Sequence, residues 1–297
     1  MEIQKSFMNE GQEGTLFVVG TPIGNLNDFS PRAREILEQV DIIAAEDTRH
    51  TRKLLSAFGI RGSLVSYHEH NKQSREPELI QKLMDGKSIA LVSDAGMPGI
   101  SDPGEPLIQK AVSRGIPVVP VPGPNAAVSA LVASGLPTQP FVFIGFLPRG
   151  KKERKKELES WRLIPATLIF YEAPHRLPEM LKDLLEVLGD RNVAICRELT
   201  KKHEEWLRGK VSDGLDYFKE KKARGEFTVV VEGADLSRVE GTEPEEEWRS
   251  WTIHEHVEKY LGQGWTKKEA VKQVARERSL PKREVYNAYH KDEPDVE

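Results

Sequence analysis

Leu91-Val-Ser-Asp-Ala-Gly-Met-Pro-Gly-Ile-Ser-Asp-Pro-Gly104 is the stretch on which the fold turns. It leaves an apolar, β-branched run over 88–92 and then abandons regular structure. Residues 94–104 hold Gly96, Gly99, Gly104, Pro98, Pro103, Asp94 and Asp102. A helix is expected over 105–112. A strand that empties into such a loop before a helix puts that loop at the carboxyl end of a sheet, where open α/β sheets bind ligands. Its glycines allow close backbone approach, and its aspartates can accept from hydroxyl or ammonium groups. An ordinary strand-to-helix turn has the same outline, so one loop does not decide. Two more loops of this character in the first half do.

The first follows the apolar strand at 15–19 (Thr-Leu-Phe-Val-Val) and reads Gly20-Thr-Pro-Ile-Gly-Asn25, with Ser30 and Pro31 opening a helix to about residue 40. The other follows a strand at 116–121 and reads Pro122-Gly-Pro-Asn-Ala-Ala127, opening a helix of small residues over 126–133. Continuous apolar strands of this kind are buried in parallel sheets. The opening is not a dinucleotide fingerprint, because Gly20 and Gly24 stand four apart with Pro22 between them. A Gly-Lys-Ser/Thr phosphate loop is also absent from the sequence. Between these loops a strand at 41–45 runs into Glu46-Asp47-Thr48-Arg49, helices are expected at 51–58 and 76–83, and a strand at 63–66 precedes a loop carrying His68 and His70. A pair of histidines two apart can ligate a metal, but nothing clusters with them, and no metal is expected.

The second half repeats the rhythm. Strands are expected at 141–146, 167–171, 193–197 and 227–232, and helices at 153–161, 177–188 and 214–224. Its own loops are Glu172-Ala-Pro-His-Arg176 and Glu198-Leu-Thr-Lys201. The sequence therefore predicts a loose tail over 1–13, an α/β domain over 14–134, a second over 135–240 and a cleft between them. A helical extension over 248–291 follows an acidic connector at 243–247. In that extension Ala270, Val271, Val274 and Ala275 form an apolar stripe, while Lys268, Lys272 and Arg276 line another face. A short turn at 279–281 gives its last two helices a helix-turn-helix outline. It either docks RNA or braces a dimer or the main body.

Composition narrows the class. The 297 residues suggest about two domains. No apolar run approaches the roughly 20 residues that cross a bilayer, and no signal or transit peptide is evident. Cys196 lies alone in an apolar run, which fits a reducing cytoplasm. The net charge of −4 argues against a wholesale nucleic-acid coat, yet 149–156 holds six basic residues against one acidic and 265–291 eight against three. Such local patches can hold phosphates whatever the total.

Taken together, Gly20-Thr-Pro-Ile-Gly-Asn-Leu26, Glu46-Asp-Thr-Arg49, the central loop and Pro122-Gly-Pro-Asn-Ala126 resemble the tetrapyrrole-methylase-fold enzymes that use S-adenosylmethionine. Tyr171-Glu-Ala-Pro-His-Arg176, Cys196-Arg-Glu-Leu-Thr-Lys201 and Gly225-Glu-Phe-Thr228 are similar to the ribosomal RNA methyltransferases of that superfamily, which modify a cytidine 2′-hydroxyl in the decoding region of 16S rRNA. The likeness runs over about 15–233. Where porphyrin-type methylases usually carry Gly-Asp-Pro, this chain has Ser93-Asp94-Ala95, which departs toward the RNA enzymes.

The resemblance implies an α/β fold of two domains and a homodimer acting on 16S rRNA within the small ribosomal subunit. It also implies an S-adenosylmethionine seat formed by Pro22, Asp94, Ala95, Gly96, Ile100, Asp102, Ala126, Ala127, Tyr171, Leu199, Glu226, Phe227 and Thr228. Methyl transfer to a hydroxyl benefits from a base. Asp47, Glu172 and Glu198 are the carboxylate candidates, with His68 and His175 beside them, and Asp47 and Glu172 are favoured because they end strands of opposite domains. Arg49, Arg176, Arg197 and Lys201, with His68 and His175, are candidate substrate grips, each arginine being equally readable as a structural ion pair. Two other classes fit less of the sequence: a tetrapyrrole methylase of the same fold, and a non-enzymatic RNA-binding protein.

Overall fold

The computed structural model describes residues 4, 14–236, 248 and 250–291. The expected tail over 1–13 lies outside these apart from Gln4, and so does the acidic connector. By contacts the chain divides into Met1–Ala234 and Asp235–Glu297.

The first unit is built on two five-stranded sheets. Its elements run β1 (Leu16–Val19), α1 (Pro31–Gln39), β2 (Ile42–Ala45), α2 (Thr48–Ala57), β3 (Leu64–Ser66), α3 (Lys72–Met84), β4 (Ile89–Val92), α4 (Glu105–Val112), β5 (Val118–Val121) and α5 (Ala126–Ser134). After these come β6 (Phe141–Phe146), α6 (Lys151–Trp161), β7 (Thr167–Glu172), α7 (Leu177–Leu188), β8 (Asn192–Arg197), β9 (Glu205–Lys210), α8 (Val211–Glu220) and β10 (Phe227–Val231).

The first sheet has the order β3-β2-β4-β1-β5 and is parallel throughout. Its strands are apolar on both faces because both are covered. Phe29, Ala33, Leu37, Leu54 and Leu55 of the α1–α2 layer pack on one side, and Leu79, Leu83, Leu107 and Ala111 of α3 and α4 on the other. The loops after β1, β2, β4 and β5 consequently emerge at one edge.

The second sheet differs from the expected repetition. Its order is β6-β7-β10-β8-β9, with only β6 and β7 parallel and the rest antiparallel. Strand β9 is an addition the sequence reading lacked. Helices α6, α7 and α8 cover one face. The other face receives α5, whose Ala127, Ala130 and Leu131 pack on Ile169, Ala194, Cys196 and Val230. A helix from the first half of the sequence thus completes the core of the second sheet, and 14–134 and 135–240 share a buried layer.

Beneath α6 and α7, Arg154 Nε donates to Asp183 at 2.7 Å, with side-chain exposures of 3% and 1%. Removing one member of such a pair leaves the other charged and buried, at a cost of roughly 3–5 kcal/mol. The Arg154→Met variant should lose about that much in chemical denaturation, far more than substitution of a surface arginine.

The second unit is a small bundle of α9 (Ile253–Gly262), α10 (Lys267–Glu277) and α11 (Lys282–Lys291) around Val257, Ala270, Val271, Val274 and Val285. Thr252 with Glu255 and Thr266 with Glu269 form capping boxes that start α9 and α10. Lys268, Lys272 and Arg276 are exposed, on a face separate from the buried stripe.

Candidate active site

The loops at the edge of the first sheet touch backbone to backbone. Thr21 and Gly96 exchange N–H···O bonds of 2.9 and 3.1 Å. The Gly20 N–H donates to the Val121 carbonyl at 3.0 Å. A Cβ on Gly20 would sit 2.6 Å from the Gly123 Cα and 2.7 Å from the Met97 sulfur, so only glycine lets these three loops meet.

The second sheet closes the other side. Tyr171, near the end of β7, accepts from the Ala127 N–H through its hydroxyl at 3.1 Å. Phe143 and Phe146 stand edge-on to its ring, with centroids at 5.0 and 5.7 Å. Ser101 abuts β6, its hydroxyl 3.1 Å from where a Cβ on Gly145 would be. The stem of Lys201 and the hydroxyl of Thr200 press on Gly24. Replacing Tyr171 by Phe leaves the Ala127 N–H, one of the orphan donors at a helix start, without its acceptor. It should cost about 1–2 kcal/mol in an unfolding titration.

Carboxylates line the crevice so formed. The Asp47 N–H donates to Asp94 at 3.1 Å, and the Asp94 N–H donates to Glu46 at 3.4 Å. Burial pushes Asp102 up to about 6, reinforced by the negative charges of Glu46 and Asp94 and opposed by a hydrogen bond from Ser93. Burial also raises Glu46, against the Asp94 N–H and with the Asp94 charge. The Tyr171 phenol is raised chiefly by its own burial and further by the Asp102 charge. Glu46, Asp102, Ser101, Glu69 and Lys72 border a groove of about 480 Å³.

The residues expected to seat the cofactor fall into three groups. Pro22, Asp94, Gly96, Asp102, Ala126, Ala127, Tyr171, Leu199 and Thr228 belong to the crevice loops or to the sheet face that meets α5, with Ala95 and Ile100 exposed on the central loop. Glu226 is exposed and paired with Lys201 at 2.8 Å. Phe227 points away, packing on Phe218 of α8 with centroids 5.6 Å apart, because neighbours along a strand face opposite sides.

The same alternation turns Glu172 away from Tyr171. Its buried carboxyl lies 3.3 Å from Arg176 Nε, and Arg176 is held by the carbonyls of Leu147 and Pro148 at 2.6 and 3.1 Å. Burial raises Glu172, against the Ala173 N–H and nearby arginines. Asp47 caps α2 and is gripped by Arg49, 2.8 Å away, whose hydrogen bonds hold it far below the usual carboxylate range. Burial alone would raise Glu198, but the Glu226 N–H, Lys201 and Arg197 outweigh it and hold Glu198 low. Arg197 is occupied by the Arg224 carbonyl and Glu205. His68 is half-buried, and His70 and His175 are exposed. Sequence reading missed Glu46 as a member of the cluster, although it stands directly before Asp47 at a strand end.

The profile of the tetrapyrrole (corrin/porphyrin) methylases matches residues 15–213. Ribosomal RNA small subunit methyltransferase I of Halalkalibacterium halodurans is 53% identical over 293 residues, covering 98% of this chain and 100% of that protein. This chain belongs to the ribosomal RNA small subunit methyltransferase I family of the tetrapyrrole methylases. The Bacillus subtilis member is 53% identical over 287 residues, 97% of this chain and 98% of its own. Uroporphyrin-III C-methyltransferase from Thermus thermophilus superposes with a TM-score of 0.53 at 23% identity, over 73% of this chain and 94% of that one. Diphthine synthase does so at 0.58 and 15%, over 74% and 90%. These two likenesses establish the fold alone. A Thermus thermophilus uroporphyrin-III C-methyltransferase has been solved with S-adenyl homocysteine.

S-adenosylmethionine is the methyl donor of this methylase family, and the crevice suits it. A cationic sulfonium and two ribose hydroxyls call for acceptors, which Asp94 and Glu46 supply, and the groove's lysine, Lys72, is already paired with Glu69. Close-packed glycine loops leave backbone groups accessible to the rest of the molecule.

Proposed function

We propose that this methyltransferase modifies the 2′-hydroxyl of a cytidine ribose in the decoding region of 16S rRNA, within the small ribosomal subunit, with Asp102 as the base. Relatives matched over nearly the whole chain carry small-subunit ribosomal RNA in their names, and the cytidine and its 2′-hydroxyl are what the motif resemblance implies. The observation that carries the chemistry is Asp102, a half-buried carboxyl raised to about 6 by its burial and by the charges of Glu46 and Asp94, on the wall of the groove that Glu46 also borders. Bound S-adenosylmethionine supplies an electrophilic methyl whose leaving group departs as a neutral thioether.

The protein's tasks are therefore positioning and proton removal. Holding the ribose oxygen in line is worth at most about 7–11 kcal/mol. Asp102 accepts the hydroxyl proton as the new O–C bond forms. A base with its pKa close to the working pH is the efficient choice, contributing about 10²–10⁴-fold. Asp47 and Glu198, held low by their partners, are weaker bases. The exposed Arg149, Lys151, Lys152 and Lys156 offer phosphate contacts outside the crevice, and Lys268, Lys272 and Arg276 offer others on the helical unit. The homodimer implied by the motif resemblance belongs to the same reading.

Since Asp102 must be ionised in the free enzyme, kcat/KM should climb with pH through about 6 and level off above neutrality. A profile flat from pH 5 to 7 would exclude it as the base. The substrate class is tested with labelled S-adenosylmethionine and, in parallel, small ribosomal subunits lacking the modification and a uroporphyrinogen. Label entering only the subunits is expected, and label entering only the uroporphyrinogen would reject the RNA reading.

A further inference from the structure

Behind the second sheet, on the side away from α5, a groove of about 460 Å³ opens at the same strand ends that face the crevice. Its walls are Arg197, Tyr217, Lys221, Lys222, Arg224 and Phe227. Phe227 opens β10 and pairs in register with Arg197, the last residue of β8. In the loop just beyond Arg197, Thr200 and Lys201 press on Gly24 at the crevice rim. One short loop separates the groove from the proposed reaction centre.

The basic segment is held in place rather than loose. Arg197 Nε donates to the Arg224 carbonyl at 2.7 Å, and the Glu226 N–H donates to Glu198 at 2.9 Å. Gly225 has φ +84, and a Cβ there would lie 2.7 Å from Glu198. Lys221 lies over the Tyr217 ring, its nitrogen 4.4 Å from the centroid. The groove's acid, Glu205, is already spoken for by the Tyr217 hydroxyl at 3.0 Å and Arg197 at 3.2 Å. The exposed side chains of Lys222 and Arg224 make no hydrogen bond or ion pair with any described residue and are free to take phosphates. An ordered cationic rim with its only acid neutralised, over an aromatic floor, fits an anionic polymer.

We propose that this groove docks the phosphodiester backbone of the RNA strand flanking the methylated nucleotide, with Lys222 and Arg224 as the phosphate contacts. The proposal rests on the RNA reading above. Preorganisation matters here, since ordering flexible lysines on binding costs affinity, and the Arg197 and Glu198 bonds have already ordered this segment's backbone.

The test is the salt dependence of binding to small ribosomal subunits and to protein-free 16S rRNA, for the wild type and the Lys222→Glu/Arg224→Glu double variant. Each lost phosphate contact lowers the log–log salt slope by about one, so a drop of about two is expected, with roughly 10- to 100-fold weaker binding near 0.1 M salt. S-adenosylmethionine affinity and melting temperature should be unchanged, as neither residue touches the crevice. An unaltered slope and affinity overturn the proposal. So does a loss confined to intact subunits with protein-free RNA binding unaffected, which would assign the groove to a ribosomal protein. If the wild type binds neither RNA form, the functional reading fails first, and the two failures are distinguishable.

Discussion

Asp102→Asn is expected to reduce the single-turnover methylation rate by about 10²–10⁴-fold, the range a positioned base contributes. It should also erase the rise of kcat/KM through about pH 6. The amide keeps the size of the side chain but cannot take a proton. The same substitution should make the protein more stable near pH 7, and this separates a chemical role from a structural one. The fold raises Asp102 from 3.8 to about 6, so the folded state disfavours its charge. A raised acid contributes most to stability while protonated, below about pH 4, and that contribution is lost as pH rises through about 6. Discounted for partial exposure, the gain in the amide variant is about 1 kcal/mol at pH 7 and vanishes near pH 4. A variant that is both slower and less stable would mark Asp102 as a scaffold residue instead.

Gly20→Ala attacks the geometry rather than the chemistry. Its methyl would lie 2.6 Å from the Gly123 Cα and 2.8 Å from the Gly123 nitrogen, and backbone cannot rotate aside as a side chain can. Overpacking of this kind costs about 1–3 kcal/mol or more. The strain falls on two of the loops proposed to hold the donor, so S-adenosylmethionine affinity in calorimetry should drop by more than tenfold, about 1.4 kcal/mol. Gly123→Ala meets the same contact from the other side, its Cβ 2.7 Å from the Gly20 Cα. The double variant should therefore cost less than the sum of the singles. Gly262 in α9, where an added Cβ meets nothing within 4 Å, is the control, and alanine there should be neutral or stabilising by up to about 1 kcal/mol.

Much of the fold is legible in the sequence. Helices α4 and α7 fall where periodicity and punctuation put them, because each has a sharp stop signal and a continuous apolar stripe. Helix α3 starts earlier than expected. Pro77 reads as a helix opener, yet it sits inside Lys72–Met84, where the carbonyl deprived of its partner is that of Gln73, on an exposed turn open to water. Strand β9 carries little sequence signal because Glu-Trp-Leu-Arg-Gly-Lys is a polar edge strand without a clean alternation. Strand alternation was available in the sequence and separates Tyr171 from Glu172, and Thr228 from Phe227, by face. Two features could not be read from local pattern. The Gly20–Gly123 contact joins residues distant in sequence, and the raised Asp102 depends on burial beside Glu46 and Asp94, brought together only by β2 and β4 pairing side by side.

The chemistry of the product tests the central claim most directly. A methyl on the 2′-oxygen blocks alkaline cleavage of the adjoining phosphodiester. Small subunits labelled by this enzyme should therefore give, after complete alkaline hydrolysis of their RNA, radioactivity in one alkali-resistant dinucleotide whose 5′ member is cytidine. Label recovered in ordinary mononucleotides would place the methyl on a base and contradict the account.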